Sequence, residues 1–214
     1  MTLRVLDLFC GAGGAAMGYH RAGFEVVGID IDPQPNYPFE FHQQNALSID
    51  TLLTRYRFDA IHASPPCQRY SLLTQGLGNP DDHPDLVAPV RELLRATGLP
   101  YIIENVVGAP LEHPLKLCGS SFGLGVWRHR LFETNWPIGM LPPCSHAEHP
   151  LPLDVTGTGG PGGRHRKPRS IAQAGAAMGI GWMTRAELSE AIPPMYTEFL
   201  GAALLEHIDA QVAA

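Results

Sequence analysis

The first 32 residues constrain the fold more than any other stretch of the chain. LRVLDLF at 3–9 is a short apolar run with β-branched and aromatic members, and GAGG follows at 11–14. AAMGYHRAGF then has the texture of a helix closed by Gly23, and EVVGIDID returns to strand character and ends in acids. Strand, glycine turn, helix, strand, acid is the βαβ unit of a doubly wound sheet. FDAIHAS (58–64) and LPYIIENV (99–106) read as further strands, with a helix over DLVAPVRELLRATG (85–98) between them. The alternation predicts an α/β fold, a doubly wound, mostly parallel sheet of Rossmann-like form with helices on both faces.

From about residue 108 the periodicity fades. Residues 133–168, dense in proline and glycine, read as a small loop-rich insertion that divides a first region, 1–132, from a C-terminal segment, 169–214. In that last segment IAQAGAAMGI and TEFLGAALLEHIDAQ have helical texture, separated by the turn signal IPP at 192–194. At 214 residues the chain can bury a core without covalent staples. It has no apolar run long enough to span a bilayer and no signal-peptide layout at MTLRVLDLFCG, so a cytoplasmic protein without a membrane partner is expected.

Four cysteines, Cys10, Cys67, Cys118 and Cys144, occur without a CxxC pair, which points to reduced thiols. CSHAEH places Cys144, His146 and His149 close together. That spacing matches no common zinc pattern and no fourth ligand is evident, so no metal is expected. The net charge of −6 argues against a chain coated in nucleic acid. RHRKPR at 164–169 nevertheless gathers four cations in six positions within a Gly/Pro-rich stretch, a local loop suited to phosphates.

The glycine loop DLFCGAGG sits where such sheets bind nucleotide-like ligands. It is neither GxGxxG nor a phosphate loop with its Lys-Ser/Thr, which favours a ligand with adenosine but no pyrophosphate. Asp30, at the end of the second strand, is placed to accept from ribose hydroxyls. In ASPPCQRYS, two prolines hold Cys67 on a stiff turn after a strand, and Glu104 and Asn105 end the next one. Taken singly, Cys67 is more often a small buried hydrophobe than a nucleophile. Three strand ends that bring a glycine loop, a thiol and a carboxyl group to one crevice shift that balance.

DLFCGAGG, SPPCQ, ENV and WRHR, in this order, resemble the DNA cytosine-5 methyltransferases, notably the short forms of phages and mobile elements, from Val5 to about Leu204. The resemblance implies S-adenosylmethionine as donor and a cytosine flipped out of duplex DNA as acceptor. It makes Cys67 the nucleophile, Glu104 the acid at ring nitrogen 3, Arg130 the partner of the cytosine carbonyl, and Arg128 a residue orienting the nucleophile turn or Glu104. It assigns Phe9, Gly11, Gly13, Gly14, Asp30, Ile31, Asn45, Pro65, Glu190 and Ala191 to the donor, with EAIPPMYTEFLG folding back to complete that pocket. Gln68, Arg69, Ser71, Arg164, Arg166, Lys167 and Arg169 are expected at the DNA, and RYSLLTQGLGNPDDH, with Gly76, Gly78 and Pro80, as a lid. A monomer is expected, with DNA modification as its setting.

Four positions depart from the family pattern. Asp30 stands where glutamate is usual, Asn45 for aspartate, Val126 for glutamine and Glu190 for asparagine. They leave open a carboxylated donor, carboxy-S-adenosylmethionine, giving a carboxymethyl product. The same chemistry on tRNA and a DNA-binding module without turnover also remain open. The short insertion implies a short or relaxed recognition site, since a Gly/Pro-rich basic loop makes phosphate contacts more readily than base contacts.

Overall fold

The computed structural model describes residues 2–71, 74, 76, 78–148, 151–156 and 166–212. Its centre is one seven-stranded sheet of β1 (Arg4–Leu8), β2 (Glu25–Asp30), β3 (Glu40–Gln43), β4 (Ala60–Ala63), β5 (Tyr101–Asn105), β6 (Leu115–Leu117) and β7 (Arg130–Thr134), in the order β3-β2-β1-β4-β5-β7-β6. Strands β1 to β5 pair in parallel, and β7 runs antiparallel to both β5 and β6. The strand order reverses beside β1, between β2 and β4, which opens the crevice where ligands of such sheets bind.

Alternation along the strands sorts side chains onto two faces. Val5, Val26, Ala60 and Ile102 meet α1 (Gly14–Arg21) and the last helix, α6 (Pro194–Val212), through Tyr19, Tyr196, Leu200 and Leu204. On the opposite face Leu6, Leu8, Val27, Ile29, Ile61 and Ile103 meet α2 (Asp50–Arg55) and α3 (Val87–Thr97) through Leu52, Val90 and Leu94. Tyr196, Leu200 and Leu204 are fully buried. Each contributes about 1.5–3 kcal/mol, enough to anchor a terminal helix that would otherwise fray.

One charged pair crosses the interior. Arg91 of α3 donates to Glu133 of β7 through Nε and Nη2, both at 2.7 Å, and Glu133 also accepts from Glu112 N at 2.8 Å. This bidentate pair joins the parallel part of the sheet to its antiparallel edge.

The predicted strands and the helix over 85–98 are present. The structure adds α2, β3, the β6–β7 pair and α5 (Arg185–Glu190), which follows α4 (Ile171–Met178). α5 carries a complete capping box, with Thr184 accepting from Glu187 N and Glu187 accepting from Thr184 N. The insertion boundary at 132/133 cuts through β7, because Glu133 and Thr134 pair with Ile103 and Ile102 of β5. Among the described residues from 135 to 170, the only strand pairing is an isolated bridge between Leu153 and Arg166. No helix among the described residues is long and apolar enough to cross a membrane.

Candidate active site

The glycine loop turns through left-handed backbone at three points, two of them at glycines that adopt it without strain. Phe9, Gly11 and Gly13 have φ of 58°, 48° and 80°. Gly13 caps α1, and a Cβ on Gly14 would lie 2.4 Å from the Ile192 carbonyl oxygen, so the loop needs glycine there to meet the C-terminal segment. That segment does fold back onto the loop. Trp182 Nε1 donates to Ala12 O at 2.9 Å and Thr197 Oγ1 to Ala15 O at 2.8 Å. Asp30 braces the cradle, accepting from Gly11 N at 3.0 Å and Asp32 N at 3.1 Å. Each carboxylate oxygen keeps a further acceptor site. Beside it Ile31 is 65% exposed, an apolar side chain without cover. Asn45 is exposed, and its amide oxygen accepts from Leu47 N at 2.9 Å in a turn.

The nucleophile turn lies at the next strand end. Cys67, partly buried, precedes a short 3-10 turn over Gln68–Tyr70. The turn is held from β5, where Asn105 Nδ2 donates to Pro65 O at 3.0 Å while its Oδ1 accepts from Val106 N at 2.9 Å. Sequence reasoning noted Asn105 beside Glu104 but gave it no role. Burial pushes the Cys67 thiol pKa up, Arg130 pulls it down, Glu104 raises it and Arg128 lowers it.

Glu104 is buried, with Oε1 3.0 Å from Arg130 Nε but without the alignment of a hydrogen bond. Burial raises its pKa, opposed by Arg130 and Arg128. Arg128 sits at φ 34°, and its guanidinium donates to Ala191 O at 2.8 Å and Ser189 O at 2.7 Å. Burial and then Arg130 bring its pKa down to about 9, so it stays cationic near neutrality. Its hydrogen bonds therefore tie this segment to the end of α5, rather than running to the nucleophile turn or Glu104 as the sequence led us to expect. Both of those groups still feel its charge. One crevice thus joins a strained backbone cradle, a clamped thiol, a buried carboxyl group and two arginines.

The family model for C-5 cytosine-specific DNA methylases matches residues 3–113. The chain belongs to this family. Among its relatives, the Type II methyltransferase M.AquIA of Picosynechococcus is 29% identical over 169 residues, covering 64% of this chain and 68% of its own. M.HgiGI of Herpetosiphon aurantiacus is 30% identical over 123 residues, covering 51% of this chain and 95% of its own. The crystal structure of S. pombe Dnmt2 methyltransferase aligns with TM-score 0.65 over 98% of this chain and 100% of its own, at 13% identity, a likeness of fold. The protein is accordingly a DNA cytosine-5 methyltransferase with S-adenosylmethionine as donor.

Two residues of the methylase expected at the DNA, Arg69 and Ser71, are instead bonded within the protein. The Arg69 guanidinium is bound within the protein, donating to Pro80 O and His83 O at 3.1 Å and pairing with Asp81 at 2.9 Å. Ser71 Oγ bonds Thr74 Oγ1 and accepts from Thr74 N. Gln68 is exposed, as are Arg166, Lys167 and Arg169. Arg164 lies outside the described residues, as do Leu72, Leu73, Gln75 and Leu77 of the expected lid. Val126 is buried against Met178 and Val155, which accounts for an apolar residue there. Glu190 is exposed at the end of α5. The expectation of no metal, drawn from the spacing of Cys144, His146 and His149, meets a different grouping in space: Cys118, His129, Cys144 and His146 bring four ligand atoms within 4.8 Å of one another.

Proposed function

We propose that the methylase modifies carbon 5 of a cytosine flipped out of duplex DNA through a covalent Cys67 adduct, acting as a monomer with short or relaxed sequence specificity. The observation that carries this reading is that the Cys67 turn is fastened to β5 through Asn105 and Pro65 while Glu104 of β5 pairs with Arg130 of β7 at 3.0 Å, at adjoining strand ends. Carbon 5 of cytosine is a poor nucleophile. Addition of the Cys67 thiolate at carbon 6 moves electron density onto it.

Burial raises the Glu104 pKa and so favours the carboxyl form that donates to ring nitrogen 3, so negative charge does not build up on the ring. Arg130 donates to the cytosine carbonyl oxygen, and its charge, with that of Arg128, favours the thiolate once the base has entered. Arg128 acts as a positioning residue, fastening the arginine segment to Ser189 and Ala191. Rotating the target out of the stack costs a few kcal/mol, and the segment after Cys67 closes over it.

The donor's residues fit a nucleoside without pyrophosphate: a backbone cradle at Phe9, Gly11, Gly13 and Gly14, the Asp30 carboxylate for ribose, and exposed Ile31 for adenine. Asn45 has a second lone pair for the adenine amine, and Pro65, Glu190 and Ala191 border the methionine end. When bound, S-adenosylmethionine supplies an electrophilic methyl group on a sulfonium. Exposure of Gln68, Arg166, Lys167 and Arg169 supports their role as DNA contacts, with Arg164 in the same basic run of the sequence; phosphate contacts of this kind position the duplex without reading it.

Duplex DNA carrying 5-fluorocytosine tests the chemistry, because fluorine at carbon 5 blocks release of the adduct. Wild-type protein with donor should give a denaturant-stable complex, and Cys67→Ser none while still binding donor. A wild-type protein that forms no adduct, or an adduct that survives in Cys67→Ser, would overturn the mechanism. Bisulfite sequencing of random DNA tests the specificity, and one site longer than about four base pairs carrying all the product would overturn that part.

A further inference from the structure

We propose that Cys118, His129, Cys144 and His146 bind one structural zinc ion with all four coordination positions filled by protein. The four residues come from three separate parts of the chain. Cys118 follows β6, His129 lies between the two arginines of the RHR segment, and Cys144 and His146 belong to the insertion. Only Cys144 and His146 are close in sequence; the pairs that meet across the fold are 28 residues apart for Cys118 and His146 and 15 for Cys144 and His129, which is why no complete ligand motif shows in the sequence.

Three of the six distances between ligand atoms are close to those of a tetrahedral site. Cys118 Sγ is 3.3 Å from His146 Nε2, and Cys144 Sγ is 3.1 Å from His146 Nε2 and 3.5 Å from His129 Nε2. Zinc bonded to sulfur at about 2.3 Å and to nitrogen at about 2.0 Å in a tetrahedron separates the two ligand atoms by about 3.5 Å. All four atoms lie within 4.8 Å of one another, so small side-chain shifts bring every one of them within bonding distance of a single ion. Two thiolates and two neutral imidazoles leave a divalent ion with no net charge to bury, and the S2N2 set selects zinc over magnesium or calcium.

The surroundings of the ligands are those of a metal site. Ser120 Oγ is 3.1 Å from Cys118 Sγ and 3.9 Å from Cys144 Sγ, able to support the thiolate charge, and it also accepts from Ser145 N at 3.1 Å. The His146 ring is stacked on Trp127, with centroids 3.8 Å apart and planes 4° from parallel, so its orientation is set before any ion arrives. With no position left for water the ion would be structural. It would fasten the insertion to the backbone between Arg128 and Arg130, giving a short, loop-rich recognition region the stiffness its length cannot supply.

The test is metal analysis of untagged protein purified under reducing conditions from zinc-supplemented culture. About one zinc per chain is expected, retained in Cys67→Ser and lost in Cys144→Ser and His146→Ala. Folded wild-type protein with no bound metal would overturn the proposal, as would a Cys118–Cys144 disulfide forming without added oxidant. Should a ligand variant fail to fold, cobalt substitution of the wild type decides. Intense visible bands with thiolate charge transfer in the near ultraviolet support the tetrahedral site, and weak octahedral bands or none refute it.

Discussion

The donor side and the acceptor side of the crevice are built on different principles. On the donor side the shape is backbone, with positive φ at Phe9, Gly11 and Gly13, Gly14 in close approach to Ile192, and two side chains of the C-terminal segment bonded to one carbonyl of the loop and one of α1. On the acceptor side the backbone is held by side chains reaching across the fold. Asn105 grips Pro65, Arg128 grips Ser189 and Ala191, and Arg69 grips the 80–83 turn. A backbone cradle tolerates no added atom at its tight points, whereas a clamped loop tolerates substitution nearly everywhere except at the clamp.

The largest effect should come from Gly14→Ala. Its new Cβ meets a backbone oxygen at 2.4 Å, which cannot rotate away, so about 3 kcal/mol of stability and most donor affinity should be lost. Gly11→Ala has open space around its Cβ and should cost only the left-handed conformation, about 1–2 kcal/mol. Urea unfolding and calorimetric donor binding measure both. Equal losses at the two positions would break the argument that close approach, rather than φ alone, shapes the cradle.

Next is Asn105→Ala on the acceptor side. It removes bonds to Pro65 O and from Val106 N, at about 1–2 kcal/mol. Because the lost clamp displaces the nucleophile, turnover should fall by about 100-fold with donor affinity unchanged. A fall in donor affinity matching the fall in turnover would show that the two halves are not separate.

This contrast also explains what was legible in the sequence. The donor cradle is local, with strand, glycines, helix and acid in one run, so Gly13, Asp30 and the first strands could be placed from residue order. α5 was legible too, through the T-x-x-E of its capping box, although only the turn signal at 192–194 is read between the two helical segments that flank it. The acceptor clamps were not. Nothing in ENV says that Asn105 reaches a carbonyl 40 residues away, and nothing in WRHR says that Arg128 spans 63 residues to Ala191. Arg69 looked free for DNA because its partners lie 11 and 14 residues on, in a segment read as a lid. The Cys/His cluster was hidden for the same reason, its ligands being joined only by the β6–β7 pairing and the return of the insertion.

A smaller effect tests the electrostatics that join the halves. Burial raises the Glu104 pKa more than Arg130 and Arg128 lower it, so folding favours the protonated form. That contribution is complete below the unfolded pKa of about 4.3 and is lost as pH rises through the folded value. Glu104→Gln does not titrate, so its stability relative to wild type should rise from pH 5 to pH 8 in urea unfolding, while turnover is lost. A gap that stays flat or narrows would mean the carboxyl is ionised throughout and does not hold the proton for ring nitrogen 3.

The smallest effect belongs to Arg69→Ala, and it separates a clamp from a DNA contact. Its ion pair with Asp81 is largely exposed, 30% and 80% for the two side chains, and its other bonds go to two carbonyls. Stability should fall by about 1 kcal/mol or less. A guanidinium on phosphate would release a counterion, so losing it would lower the slope of log affinity against log salt by about one. An Arg69 spent on the 80–83 turn leaves that slope unchanged. Lys167→Ala, exposed and in the basic run, should lower it. If Arg69→Ala lowers the slope as Lys167→Ala does, the clamp opens when DNA binds, and the acceptor side is assembled by its substrate rather than before it.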